Sequence, residues 1–213
     1  MPMADLVIVR HGETDWNLAR RIQGSTDIPL NDTGRAQAAT TGALLARREW
    51  DGIFASPLSR AYETASIIAG EVGLDAPQAV AELVERRYGE AEGLDWQEVD
   101  ARFPGETDVP GRETRDEIAD RVIPTLIRIA EKHPGKSLIV VSHGGVIRSV
   151  LNHIDPDHEH GPISNGSIHS VEHSDGTLEL IAFNDPIEVQ SLDCATEGLD
   201  EQNPLEEREA ARL

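Results

Sequence analysis

The sequence holds a single cysteine, Cys194, in a polar C-terminal stretch. One such thiol can neither close an internal disulfide nor complete a cysteine metal cluster, which argues against redox chemistry. Lysine is almost as scarce: Lys132 and Lys136 stand against 17 arginines, and the formal net charge is −20. An acidic surface of that strength argues against nucleic-acid or anionic-membrane partners, so any site for a phosphate must be a local cluster of arginines. Long apolar runs are missing too. No stretch approaches the roughly 20 residues of a spanning helix, and no charged-then-apolar leader precedes the first strand, so the protein is expected to be cytoplasmic.

The 213 residues, 38% apolar, suffice for one well-filled core. Leu6-Val7-Ile8-Val9 and Leu138-Ile139-Val140-Val141 are continuous aliphatic runs, as buried parallel strands are. Between them, residues 34 to 48 and Ser59 to Val72 carry Ala and Leu or Ile at helical spacing. Residues 51 to 57 read as a strand ending at Pro57, and Gln78 to Val84 as a further strand. Residues 86 to 115, rich in Gly, Pro and charge, read as a small cap. Glu113 to His133 is predicted helical despite Pro124, and Gly144 to Asn152 opens another helix. Residues 167 to 172 and 177 to 183 form a closing hairpin around Ser174-Asp175-Gly176. The expectation is a three-layer α/β/α sandwich with a mostly parallel sheet over residues 1 to 185, followed by a loosely packed acidic tail, 186 to 213.

Both aliphatic strands run into a histidine: Arg10-His11-Gly12 after the first, Ser142-His143-Gly144-Gly145 after the second. Ligand sites in open α/β sheets lie outside the carboxyl ends of strands, so the two imidazoles are expected to face one crevice. A neutral imidazole is nucleophilic near pH 7, and neighbouring guanidiniums hold phosphoryl oxygens by charge-assisted hydrogen bonds, which points to phosphoryl transfer. Arg60 adds a second guanidinium at the start of a helix, where backbone N–H groups also favour anions. Ser142 is no candidate nucleophile, because neighbours on a strand point to opposite faces. The polar group His153, Asp155, Asp157, His158, Glu159 and His160 lies in a Pro-containing loop and reads as a solvated surface rather than as metal ligands.

Arg10-His11-Gly12-Glu13-Thr14, Trp16-Asn17, Gln23-Gly24, Ser56-Pro57-Leu58-Ser59-Arg60-Ala61, Glu85 to Gly93 and Ser142-His143-Gly144-Gly145 together resemble the signature of the histidine phosphatase superfamily, particularly its phosphoglycerate mutase-like branch. The resemblance spans residues 5 to 183. It implies that His11 attacks phosphorus and becomes phosphorylated, that Arg10, Arg60 and His143 bind the equatorial oxygens, and that Asn17, Gln23, Gly24, Arg86, Tyr88 and Gly144 complete the binding site. Glu85 is the implied general acid and base, with Glu82, Glu90 and Glu92 as rivals; the negative charge of bound phosphate promotes its protonation. It also places the Asn165-Gly166-Ser167 turn at the rim of the site. No metal is implied.

The resemblance does not separate hydrolysis from transfer to a second hydroxyl. Only 57 residues lie between Glu85 and His143. The glycolytic mutases carry a longer cap there, with a lysine where Trp96 stands and an arginine pair that this chain lacks. A phosphatase for a small phosphorylated metabolite is therefore favoured, with Arg102, Arg112 and Arg115 as candidate specificity residues. A phosphoglycerate mutase primed by 2,3-bisphosphoglycerate is the alternative, and an inactive phospholigand-binding module the distant one. Assembly is open, a homodimer being the oligomer considered.

Overall fold

The computed structural model describes residues 3–105 and 107–185. A six-stranded sheet in the order β3-β2-β4-β1-β5-β6 forms its centre. The strands are β1 (Ala4–Arg10), β2 (Gly52–Ala55), β3 (Gln78–Ala79), β4 (Ser137–Ser142), β5 (Ile168–Ser174) and β6 (Thr177–Ala182). The first four are mutually parallel, whereas β5 runs antiparallel to β1 and β6 antiparallel to β5. Asp175 and Gly176 both take positive φ, which gives the two-residue β5–β6 turn the backbone twist that hairpins favour.

Alternation along the central strands builds two cores. Leu6, Ile8, Leu138 and Val140 face one layer, where they pack with Ile118, Val122 and Leu126 of α5 (Arg115–Lys132) and Ile147 and Val150 of α6 (Gly144–Ile154). Val7, Val9, Ile139 and Val141 face the other, against Leu45 of α2 (Asp32–Leu45) and Ala61, Ala65 and Ile68 of α3 (Ser59–Val72). Helices on both faces of a mainly parallel sheet form the expected three layers. Among the described residues no helix is long and apolar enough to cross a membrane.

The predicted strand over Gln78 to Val84 is shorter in the structure. Pairing with β2 covers only Gln78 and Ala79, and the chain then tightens into a 3-10 turn at Ala81–Leu83. Leu83 is fully buried and its carbonyl accepts from Ser142 Oγ at 2.9 Å, so the segment turns in over the end of β4 instead of continuing along the sheet edge. Beyond it, residues 86 to 115 contain a 3-10 turn at Gly89–Ala91 and a short helix, α4 (Trp96–Arg102). Ile22, Tyr88, Ala91, Val99, Phe103 and Val109 form a small core of their own there. A four-residue helix not foreseen from the sequence, α1 (Asp15–Leu18), follows β1 and is closed by a Thr14–Asn17 capping box. The acidic tail lies outside the described residues.

Candidate active site

Strand register brings the two histidines together. Arg10 is paired with Ser142 across β1 and β4, and the next amide, His11 N–H, donates to Ser142 O at 3.0 Å. His11 and His143 therefore leave adjacent parallel strands at one level, their rings edge to face with centroids 5.1 Å apart. β2 ends beside them: Ser56 N–H donates to Val141 O at 3.0 Å. The loop after β1 is fixed by backbone-on-backbone contact with the start of α2. A Cβ on Gly12 would fall 2.2 Å from Gly34 O, and one on Gly34 2.1 Å from Glu13 O, so side chains at either position would drive the two segments apart.

His11 is buried, and its Nδ1 lies 2.7 Å from Gly12 O. A carbonyl only accepts, so Nδ1 carries the proton and Nε2 presents a lone pair. Arg60 Nε approaches that Nε2 at 3.3 Å. Burial first, then the charges of Arg60 and Arg10, push the His11 pKa well below its ordinary value, which keeps the imidazole neutral. His143 is lowered in the same way, by burial and then by Arg60. Asn165 Nδ2 donates to His11 O at 2.9 Å and Gly166 N–H to Arg10 O at 3.0 Å, so the 165–167 turn meets the backbone of the Arg10-His11 pair.

Arg60 has no exposed surface, and its Nη1 and Nη2 donate to Thr26 O at 2.9 Å and Gly24 O at 2.8 Å. Burial lowers its pKa to about 10, which still leaves it charged at neutral pH. Arg10 donates through Nη1 to Ile163 O, and its guanidinium packs against the Cα of Gly144, where a Cβ would meet Nε at 3.4 Å. The two guanidiniums and two imidazoles thus form one buried, cationic recess. Asn17 and Gln23 are buried with Thr14: Asn17 Oδ1 accepts from Thr14 N–H at 3.1 Å, and Gln23 Oε1 from Thr14 Oγ1 at 2.9 Å.

Glu85 reaches the start of α6, the helix that follows His143, and its charge acts on Arg60. Its carboxylate caps α6, accepting from Gly145 N–H and Val146 N–H at 3.2 Å each and from Arg86 N–H at 2.8 Å. The helix needs this cap because its N-cap residue, His143, makes no side-chain capping bond of its own. Of the rival carboxylates, Glu92 is committed elsewhere, accepting from Ser25 N–H and Thr26 N–H at 3.0 Å each and from Tyr88 N–H at 3.1 Å. It ties the Gly24-Ser25-Thr26 loop to the cap, and it explains Gly24, whose Cβ would lie 2.2 Å from Glu92 Oε1. Glu90 pairs with Arg102 and Glu82 with Arg128 on the exposed surface. Arg86 and Tyr88 stand in the cap's interior, the guanidinium 5.3 Å over the ring and Arg86 Nε donating to Glu113 O at 2.8 Å.

One arrangement escaped the sequence reading. Arg121 of α5 forms a two-point pair with buried Glu113, Nε to Oε1 at 2.8 Å and Nη2 to Oε2 at 3.0 Å. The same guanidinium donates to Val84 O at 2.9 Å and Glu85 O at 3.3 Å, clamping the segment that carries Glu85. Burial opposes the charge on Glu113, but the Arg121 hydrogen bonds and charge outweigh it and hold its pKa below the usual carboxylate range. Ser142 Oγ is spent on Leu83 O, in keeping with its exclusion as a nucleophile. In the loop after α6, Asp155 gathers His158 and His160 at 2.6 and 3.1 Å.

The sequence profile of the histidine phosphatase superfamily (branch 1) matches residues 6–186. The uncharacterized phosphatase PhoE of Bacillus subtilis is 37% identical over 185 residues, covering 85% of this chain and 95% of that protein. A metal-independent phosphoserine phosphatase of Arabidopsis thaliana is 33% identical, covering 93% and 88%. A 2,3-bisphosphoglycerate-dependent phosphoglycerate mutase of Cytophaga hutchinsonii is 32% identical, covering 89% and 92%. Among solved structures, mycobacterial glucosyl-3-phosphoglycerate phosphatase superposes with a TM-score of 0.76 at 28% identity, over 84% of this chain and 98% of that one. With the two imidazoles and two guanidiniums gathered at the ends of β1, β4 and α3, the chain belongs to the histidine phosphatase superfamily, in its phosphoglycerate mutase-like branch.

Proposed function

We propose that the protein is a phosphomonoester phosphatase for small phosphorylated metabolites, working through a phosphohistidine on His11 without a metal. The observation that carries this reading is the state of His11: neutral, with its proton on Nδ1 against Gly12 O and Nε2 turned to the guanidinium of Arg60. The 3.3 Å contact to Arg60 Nε is long and gives way to phosphorus. In the first step Nε2 attacks phosphorus, the ester P–O bond breaks, and Glu85 gives its proton to the departing oxygen. The three amides favour the Glu85 carboxylate, so it is the phosphate dianion beside it that draws a proton onto the carboxyl, as this step requires. In the second, Glu85 takes a proton from water, the oxygen attacks the phosphoryl group, and the P–N bond breaks to leave inorganic phosphate and free His11. Arg10, Arg60 and His143 neutralise the equatorial oxygens throughout, the role cationic and donor groups play in phosphoryl transfer generally.

Hydrolysis is favoured over mutase action by the cap. A mutase must exclude water from phosphohistidine and hold a second phosphate with further cations. Here the start of α4 presents Trp96, 54% exposed, and Arg102 is engaged with Glu90 at the surface. Mutase action remains the second reading, because Arg86 and Tyr88 stand beside Glu85 as they do in mutases and a mutase is among the relatives. An inactive binding module is disfavoured, since nucleophile, acid and both arginines are all present. The test is phosphate release from p-nitrophenyl phosphate, 3-phosphoglycerate and sugar phosphates in chelator-treated buffer, in parallel with 3- to 2-phosphoglycerate conversion primed by 2,3-bisphosphoglycerate. Release without isomerisation is expected; efficient isomerisation with little release would make the protein a mutase.

A further inference from the structure

Ser56 follows β2 and has no exposed surface, and its hydroxyl oxygen lies 2.8 Å from His143 Nε2. The same oxygen accepts from Leu58 N–H at 3.3 Å. On the opposite side of the His143 ring, Nδ1 is buried and has no hydrogen-bond partner among the described residues. We propose that Ser56 is a positioning residue that donates its hydroxyl proton to His143 Nε2 and so fixes the tautomer whose Nδ1–H serves a phosphoryl oxygen; the proposal rests on the phosphohistidine reading above.

Counting donors and acceptors separates the two tautomers. If Nε2 carried the proton, it would donate to Ser56 Oγ. The serine hydrogen would then be buried with no acceptor among the described residues, and Nδ1 would be a buried lone pair that repels phosphate. Two polar groups would be unsatisfied, each costly in a dry interior. With Ser56 donating, every group but one is satisfied. That one is Nδ1–H, a donor that an incoming phosphoryl oxygen completes. The choice matters because burial and the Arg60 charge keep His143 neutral: an imidazolium could donate from both nitrogens, whereas a neutral ring has only one N–H to place. Both catalytic rings then share the Nδ1–H tautomer and use it from opposite ends. His11 spends its N–H on Gly12 O and offers the lone pair to phosphorus, while His143 spends its lone pair on Ser56 and offers the N–H to oxygen.

The experiment is a long-range 1H–15N correlation spectrum of the full chain labelled with 15N-histidine, which reads the tautomer of each neutral ring. His143 is assigned by the loss of its signals in His143→Asn. Nδ1–H is expected in the wild type. In Ser56→Ala the tautomer should shift toward Nε2–H, with kcat/KM for p-nitrophenyl phosphate falling about 10–100-fold, the size typical of partners that orient functional histidines. Orthovanadate inhibition should weaken in parallel. Ser56→Thr, which keeps the hydroxyl, should restore both tautomer and rate. An Nε2–H His143 in the wild type, readable even if Ser56→Ala fails to fold, would overturn the proposal, as would a Ser56→Ala enzyme with unchanged turnover. Turnover that survives His11→Ala would instead sink the phosphohistidine reading, and the spectrum reports His143 independently of that result.

Discussion

The recess and the cap above it are held by different means. In the recess the polar groups are buried and bonded to backbone: Arg60 to two loop carbonyls, Glu85 to three amides, and the neutral His11 ring to Gly12 O. In the cap a six-residue apolar cluster is buried together with Arg86 and Glu113, and the outer charged side chains pair at the surface, Arg102 with Glu90 and Arg21 with Glu98 at 3.2 Å. Exposed pairs of that kind contribute about 0–1 kcal/mol each, whereas breaking a buried one costs several. The recess therefore fixes the chemistry through the strands and helices of the fold, while the outer face of the cap, away from the Glu92 tether and the Glu113 pair, offers a surface that can change without disturbing it.

The comparison is broken most severely at Glu85. Glu85→Gln keeps shape but loses the proton, and kcat should fall about 10²–10⁴-fold. The loss should be larger for alkyl phosphates, whose alkoxides need protonation, than for p-nitrophenyl phosphate. A uniform loss across leaving groups would remove Glu85 from the acid role. Next comes the clamp. Arg121→Ala should lower stability by about 3 kcal/mol in urea unfolding, because Glu113 is left buried without its guanidinium. It should also slow turnover by about tenfold as the Glu85 segment loosens. Stability with no change in kcat would confine Arg121 to the fold.

A smaller effect should come with pH. His11 and His143 are held well below their ordinary pKa, and burial in β5 lowers His169 to about 3. From about pH 6.5 downward the unfolded chain binds protons that the folded protein excludes, so stability is full above that pH and lost below it. The slope is at most about 1.4 kcal/mol per pH unit for each histidine. Urea midpoints at pH 7.5, 6 and 5 check this, and a flat profile would contradict the burial of neutral rings. Smallest of all, Trp96→Ala on the exposed cap should leave stability within about 0.5 kcal/mol. Turnover of p-nitrophenyl phosphate should hardly change, while KM for the sugar phosphates of the panel shifts. A collapse of turnover on p-nitrophenyl phosphate would show that the cap takes part in chemistry.

The same division explains what could be read from the sequence. Two aliphatic runs ending in histidine are a local pattern, so one crevice for His11 and His143 was expected from the sequence, whereas the β1–β4 register that brings the rings together is not local. Helix α3 matches its sequence-derived span because its Ala and Ile spacing and its Pro57 and Gly73 boundaries are all local. The strand over Gln78 to Val84 was misread because alternation cannot reveal where a sheet edge runs out of partner; burial of Leu83 and the Ser142 hydroxyl turn the chain inward. Arg121 and Glu113 gave no signal in the sequence, since nothing local shows that the carbonyls of Glu82, Val84 and Glu85 converge on one guanidinium. Glu92 stood among the rivals to Glu85 in the sequence, and only the Ser25 and Thr26 amides reveal it as a tether.

The central claim is a covalent phosphoryl group on His11. Rapid acid-free quenching of the full-length enzyme with 32P-labelled substrate, followed by peptide mapping, should find an acid-labile, base-stable phosphate on the His11 peptide that forms and decays at rates consistent with kcat, and none in His11→Ala. Label on any other residue, or full turnover with no trapped phosphoprotein and undiminished activity in His11→Ala, would contradict the account.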